Sequence, residues 1–343
     1  MKKDLDWANL GFRFMQTNAM YVARYKDGAW DAGGLVPEAE LRISAGSTAL
    51  HYGQQCFEGL KVYPRADGGA QMFRPRLNAE RMRESCERLL MPPVPEEMFL
   101  SACEELIAAN EDFIPPYGSG ATLYLRPMVI GVGDNMGMRP AAEYLFAIFC
   151  APVSSNYTGH LVPVHFVTTQ FDRAAPNGTG KAKVGGNYAA SLLPQKLAKD
   201  AGYADCIYLD PLTHTKIEEV GAANFYAVTR DGVFVTPDSP SILDSITRRS
   251  VMDIARDYLK MEARYADIYI DRLNELAEAG ACGTGAIITP LASITHNGVR
   301  TVFGDGKIAG PVTVKLFEAM LSIQCGDIEG PAGWAHPVPG VKV

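Results

Sequence analysis

The chain has 343 residues, 47% of them apolar and 21% charged, with a net charge of −7. That length exceeds one ordinary core, so two domains are expected, and the composition is that of a globular protein. The acidic balance and the lack of a long basic run argue against nucleic acid as a partner. No apolar run reaches the roughly 18 residues of a membrane span, and Met1 to Trp7 turns acidic at once instead of forming a signal-peptide core.

Seven cysteines are scattered without a Cys-x-x-Cys, which suits free thiols in a reducing cytoplasm. Of the six histidines only His160 and His165 are close in sequence, so zinc-ligand spacing is absent and a metal enzyme is disfavoured.

The first half mixes strands and helices. Met20 to Tyr25 and Ala29-Trp30 read as a hairpin around Asp27-Gly28. Lys61 to Pro64 and Ala70 to Phe73 bracket a turn at Asp67-Gly68-Gly69. Asn78 is placed to cap a helix running to about Leu90. Pro95 opens another, with Glu96 and Glu97 where the helix dipole favours acid, and with Phe99, Ala102, Leu106 and Ala109 at helical spacing. Thr122 to Arg126 is a strand whose period of two puts Tyr124 and Arg126 on one face, opposite Leu123 and Leu125. Tyr144 to Cys150 is a continuous apolar run, hence a buried strand.

Residues 168–180 are rich in Pro, Asn and Gly and read as a linker. A helix follows from about Tyr188 to Asp200, where Pro194 predicts a kink or an interruption. Cys206 to Leu209 is a buried strand. Phe225 to Val228 and Val233 to Val235 flank the Asp231-Gly232 turn. Thr247 to about Leu259 is a helix with Val251, Ile254, Ala255 and Tyr258 on one side. Ala286 to Thr289 is short and apolar, and Pro311 starts a last helix.

One combination carries chemistry. Lys183 precedes Gly185-Gly186, and glycines permit close backbone approach beside a bound group. A lysine that bonds an aldehyde must shed its proton, which needs a buried or electropositive setting. Tyr188 adds a phenol. Glu218 and Glu219, at a strand end before Gly221, are candidates for the carboxylate that keeps a pyridine nitrogen protonated, and Glu219 lies nearer the glycine. Ser245-Ile246-Thr247 starts a helix and offers free amides to a phosphate, although alone it is a plain cap. Gly283-Thr284-Gly285 offers a second set of amides and a hydroxyl. Tyr124 and Arg126 together suit a carboxylate, or else form an exposed strand face. Tyr52 and Phe57 read as core aromatics by default. A lysine nucleophile, a phenol, an acid and an anion cradle are the parts a pyridoxal phosphate enzyme needs.

These stretches resemble the branched-chain amino acid aminotransferases, pyridoxal phosphate enzymes of fold type IV. The likeness runs nearly end to end: Asp6-Trp7, His51 to Lys61, Phe73-Arg74-Pro75, Asn78 with Arg81-Met82, Leu123 to Pro127, Lys183 to Tyr188, Glu219-Val220-Gly221 with Asn224, Ile246-Thr247-Arg248, and Gly283-Thr284. It implies a fold of the α+β or α/β class in two domains. These are a smaller α+β N-terminal domain at 1–167, the linker at 168–180, and a larger C-terminal domain at 181–343 with a β-barrel-like sheet and helices, carrying the lysine. It implies transamination of L-leucine, L-isoleucine and L-valine with 2-oxoglutarate, in a homodimer or larger assembly.

It also implies roles. Lys183 would hold pyridoxal 5′-phosphate covalently and shuttle the proton. Tyr188 would bond its phenolic oxygen and Glu219 its ring nitrogen. Arg81, the Ile246 and Thr247 amides and Thr284 would bind its phosphate. The Thr284-Gly285 amides would take the substrate α-carboxylate, and Tyr52, Phe57, Tyr124 and Arg126 would line the side-chain pocket. The chain departs from the family at Gly285, where Ala is usual, and at Asn18-Ala19. It departs again at 154–157, where the pocket aromatic shifts to Tyr157. Ala286 and Thr289 stand where some animal relatives have Cys-x-x-Cys, so no dithiol switch is expected there. The rivals are a D-amino acid aminotransferase or aminodeoxychorismate lyase within the fold, and a non-catalytic anion-binding regulator outside it.

Overall fold

The protein is described by a computed structural model covering residues 2–154 and 160–342, so Tyr157 and its neighbours lie outside the described residues. The chain divides into two compact units. One comprises Met1–Asn156, Ala182–Gly185 and Ser322–Val343, the other Tyr157–Lys181 and Gly186–Leu321. Residues 182–185, Lys183 among them, and the chain end from 322 therefore cluster with the first unit, whereas the sequence reading put them in the C-terminal domain.

In the first unit β1 (Met20–Lys26) turns into β2 (Ala29–Trp30) through Asp27 and Gly28, both at positive φ (53° and 87°), the pair that a tight right-twisted hairpin requires. There follow β3 (Gly34–Val36), α1 (Thr48–Tyr52), β4 (Gln55–Phe57), β5 (Leu60–Pro64), β6 (Ala70–Phe73), α2 (Pro75–Arg88), α3 (Glu96–Ala109), β7 (Ala121–Val132) and β8 (Glu143–Ser154). The antiparallel sheet runs β6-β5-β7-β8-β1-β2, with β3 also on β1 and β4 also on β7. Long β7 is its spine. It pairs with β8 along its whole length, with β5 through Leu123–Leu125, and with β4 through Met128–Ile130.

Leu60, Val62, Leu123, Leu125, Phe146 and Ile148 turn one sheet face onto Met82, Cys86, Phe99 and Leu106 of α2 and α3. Each such fully buried side chain contributes about 1.5–3 kcal/mol. Alternation along the strands then sends Lys61, Tyr124 and Arg126 to the opposite face. The Asn78 cap is a correction. Pro75 sets the start of α2, after Arg74 at φ 49°, and Asn78 sits one turn inside the helix, buried. A proline at the first helical position forfeits no hydrogen bond, so it starts the helix earlier than a polar cap would.

The second unit holds β9 (Val164–Thr168), most of α4 (Gly185–Asp200), β10 (Asp205–Leu209), β11 (Ile217–Val220), β12 (Ala223–Thr229), β13 (Phe234–Thr236), α5 (Ile246–Asp257), β14 (Ala263–Tyr265), β15 (Leu276–Gly283), β16 (Ile287–His296), β17 (Val299–Val302) and the greater part of α6 (Pro311–Cys325). Hydrogen bonds run β11-β10-β9-β16-β15-β12, and β12 pairs back onto β11, so six strands close a ring. All six feed one core, among them Phe166, Ile207, Ile217, Phe225, Ala281 and Ile294. This is a barrel filled by side chains, as a small barrel must be. Helix α4 begins at Gly185, earlier than expected, and continues through Pro194 without interruption. After α6, β18 (Ala335–Pro337) pairs with β6 and completes the first unit.

Candidate active site

In the first unit the main chain of Lys183 is held on both sides. Its N–H donates to Ser85 Oγ at 2.9 Å, and its carbonyl accepts the Phe57 N–H at 3.0 Å. The next residue, Val184, forms a lone β-bridge with Cys56. The Lys183 Nζ lies 4.8 Å from the Phe57 ring centre, and the Arg126 guanidinium lies 5.0 Å from the same ring. Arg126 also stands 5.3 Å from the Tyr124 ring, and its Nη2 donates to the Tyr124 hydroxyl at 3.3 Å. The fold thus gathers Lys183, Phe57, Tyr124 and Arg126. Gly59 makes this possible, because any side chain there would strike the Tyr124 phenol. Tyr52 is used differently: its ring is exposed and its hydroxyl donates to the Met136 carbonyl at 2.8 Å.

Arg81 is buried on α2, and two of its nitrogens fork onto Glu58, Nε to Oε1 at 2.7 Å and Nη2 to Oε2 at 2.8 Å. Asn78 donates to the same Oε2 at 2.8 Å. Glu58 has no exposed surface. Burial pushes its carboxyl up, but the Arg81 charge and hydrogen bonds, with the Lys183 charge, outweigh this and hold it below the usual 4.5. Lys61 lies directly across from Tyr124, and burial pushes its ammonium down to about 8. Sequence reasoning assigned neither Glu58 nor Lys61. For Lys61 the available signal was a charged residue inside a strand segment otherwise fit for burial. Asn18, a departure from the family, has a structural use: its amide N–H and side chain bond Asn110, Ala109 and Asp112 at the end of α3.

Cys56 and Cys86, both fully buried, bring their sulfurs to 3.5 Å. Each is one residue from a group that holds Lys183, and their distance in sequence hid the pair.

In the second unit Glu219 is buried on β11. Its Oε1 accepts the Leu243 N–H at 2.6 Å and faces Asn224 Nδ2 at 3.5 Å, and its Oε2 lies 3.0 Å from Arg173 Nε. That Nε–H is not directed along the line to the oxygen, so the contact is ionic rather than a formed hydrogen bond. The neighbouring Glu218 points to the other face of β11, where the Ser239 and Ser241 hydroxyls bond it at 2.6 Å. Strand register carries the site further. Glu219 pairs with Asn224, Asn224 pairs with Cys282, and two residues beyond Cys282 the chain turns through Thr284-Gly285 into β16.

Leu243 leads into the N-terminus of α5, where Ser245 Oγ accepts the Arg248 N–H at 3.2 Å and Ile246 and Thr247 are buried. The amides of that first turn have no intrahelical acceptor and the helix dipole adds positive potential. Tyr188 sits on the first turn of α4, half-buried. A buried carboxylate, a helix N-terminus and a hydroxyl-bearing turn at one end of the barrel match the donor set that a phosphorylated pyridine requires.

The family model for class IV amino-transferases matches residues 55–294. The chain belongs to this family. It is 57% identical over 337 residues to the branched-chain-amino-acid aminotransferase of Haemophilus influenzae, covering 97% of this chain and 98% of the relative. The crystal structure of the Escherichia coli branched-chain amino acid aminotransferase superposes with a TM-score of 0.79 at 28% identity, over 94% of this chain and 99% of that one. The T.th. branched-chain enzyme, solved in complex with N-(5′-phosphopyridoxyl)-L-glutamate, gives 0.76 at 29% identity over 94% and 99%. With these likenesses the activity is that of a branched-chain-amino-acid transaminase, and the fold is type IV.

Proposed function

We propose that the chain is a pyridoxal 5′-phosphate enzyme moving the amino group of L-leucine, L-isoleucine or L-valine to 2-oxoglutarate, with branched 2-oxo acids and L-glutamate as products. The observation that carries this reading is the buried, pinned Glu219 carboxylate beside the α5 N-terminus and in register with the Thr284 turn. The phosphopyridoxyl-glutamate held by the T.th. enzyme supports both the cofactor and the glutamate.

When bound, pyridoxal phosphate supplies an aldehyde that captures amines and a protonated ring that draws electrons from the substrate α-carbon. Lys183 would be the residue that holds it covalently, and its neutral amine would be the general base that takes up and returns the substrate α-proton. Glu219 would accept the ring N–H, and Tyr188 would donate to the phenolic oxygen. Arg81, the Ile246 and Thr247 amides and the Thr284 hydroxyl would take the phosphate. The Thr284-Gly285 amides would receive the α-carboxylate. Phe57, Tyr124 and Arg126 would form the side-chain pocket. A guanidinium laid against two aromatic rings gives that wall both an apolar surface for a branched chain and a cation for a γ-carboxylate.

The purified protein should be yellow, and borohydride reduction followed by peptide mapping should place the label on Lys183. A label on Lys181 would refute the assignment. L-Valine should serve as amino donor to 2-oxoglutarate, whereas the D-amino acid reading requires D-alanine to replace it. The working assembly is a homodimer or larger, and an active monomer in sedimentation would contradict this. A reducing cytoplasm fits the seven free cysteines, six of them buried.

A further inference from the structure

Residues 168–180 carry no regular element beyond the last residue of β9, yet one side chain in them is as buried as the core. Arg173 is 7% exposed, and its guanidinium spans three places in the second unit. Its Nε stands 3.0 Å from Glu219 Oε2. Its Nη2 donates to the Gly180 carbonyl at 2.9 Å, and also to the Ser241 carbonyl. Gly180 is pressed so closely on Ser241 that any side chain there would overlap the Ser241 backbone. Two residues past Ser241, the Leu243 N–H donates to the other oxygen of Glu219. One guanidinium therefore ties one carboxylate oxygen to the loop whose amide holds the second.

We propose that Arg173 is a positioning residue for the known reaction: it fixes the place and orientation of the Glu219 carboxylate from the segment between β9 and α4. The inference rests on the reading of Glu219 as the partner of the pyridine nitrogen. A carboxylate buried among neutral donors alone is costly to keep charged, and an adjacent arginine, charged at every working pH, removes that cost. Arg248, also near this end of the barrel, is committed to the Pro237 carbonyl and to Asp244. A lysine in place of Arg173 would keep the charge but lose the fork that reaches two carbonyls as well as a carboxylate. The segment expected to be only a linker is, on this view, part of the site's frame.

The test titrates cofactor-free protein with two probes and reads fluorescence quenching. The probes are pyridoxal 5′-phosphate and an analogue whose ring nitrogen is replaced by carbon. The variants are Arg173→Gln, Arg173→Lys, Glu219→Gln and the Arg173→Gln/Glu219→Gln double variant. Arg173→Gln should weaken pyridoxal phosphate by about tenfold or more, the scale on which supports of a ligating group act, while binding the carbon analogue as the parent does. It should add no further loss in the Glu219→Gln background. Arg173→Lys should lose less, with the same preference between probes, and it carries the comparison if the glutamine variant does not fold. Equal losses for both probes, with Glu219→Gln still telling them apart, would make Arg173 a purely structural residue and overturn the proposal alone. Failure of Glu219→Gln to tell the probes apart would overturn the reading of Glu219 and this proposal with it.

Discussion

Replacing Lys61 by methionine tests the electrostatics of the first unit's sheet. Lys61 is 6% exposed, and burial pushes its ammonium from 10.5 to about 8. The sign follows from proton counting. Between those pH values the unfolded chain keeps a proton that the folded chain has released, so stability rises with pH across the window and is flat outside it. At 1.36 kcal/mol per pH unit the gap corresponds to roughly 3 kcal/mol. Lys61→Met keeps an unbranched stem of similar length without the charge. The variant should exceed the parent in stability at pH 7 by up to that amount, and the advantage should shrink between pH 8 and 10.5. The assay is urea unfolding of cofactor-free protein at a series of pH values. Tyrosines and cysteines that titrate in the same range are common to both proteins, so they cancel in the difference. A difference that stays constant from pH 7 to 10.5 would refute the reasoning.

Three further substitutions probe other contacts. Glu58→Gln leaves the buried Arg81 guanidinium without its counter-charge and should cost about 3–5 kcal/mol in urea unfolding. Because the Glu58 carboxyl is held below 4.5, the parent's advantage over that variant should persist at neutral pH and disappear as acid protonates it. Ser245→Ala removes the cap on the Arg248 N–H and should cost about 1 kcal/mol in thermal unfolding, and an unchanged melting temperature would argue that the cap is not felt. Gly59→Ala forces the Tyr124 phenol aside, so KM should rise for L-leucine and for 2-oxoglutarate alike. A rise confined to one of them would separate the two uses of the pocket.

What the sequence revealed depended on range. The Asp27-Gly28 hairpin, the Pro95 start of α3 and the face shared by Tyr124 and Arg126 follow from local rules, and all three are present. The Ser245 cap was legible because a helix start marks it in the chain itself, and glycines mark Lys183 and Glu219 there as candidates. Asn78 misled because its amide serves Glu58, twenty residues away in sequence, rather than a helix end. Arg173 was invisible for a related reason. Its neighbours spell a loop, and only the closed barrel brings Glu219 and Ser241 to it. Glu58 hid among aromatic and glycine residues that read as a turn, although Arg81 lies at a distance that only α2 can bridge. Local chemistry is written in neighbouring letters, whereas buried charge pairs are written in the topology.

The ring of six strands also has a temporal side. β9 joins it through parallel pairing with β16, so residue 164 cannot take its permanent place until residue 291 has been made. Pairings of such long range are slow to form. Until then β9 and β12 present open edges, the kind of surface on which nascent chains stick to one another. Once β15 and β16 fill the gap between them, those edges vanish together. A ribosome making this protein would thus carry a sticky half-barrel for most of the second unit's synthesis and release it from that hazard only near the end.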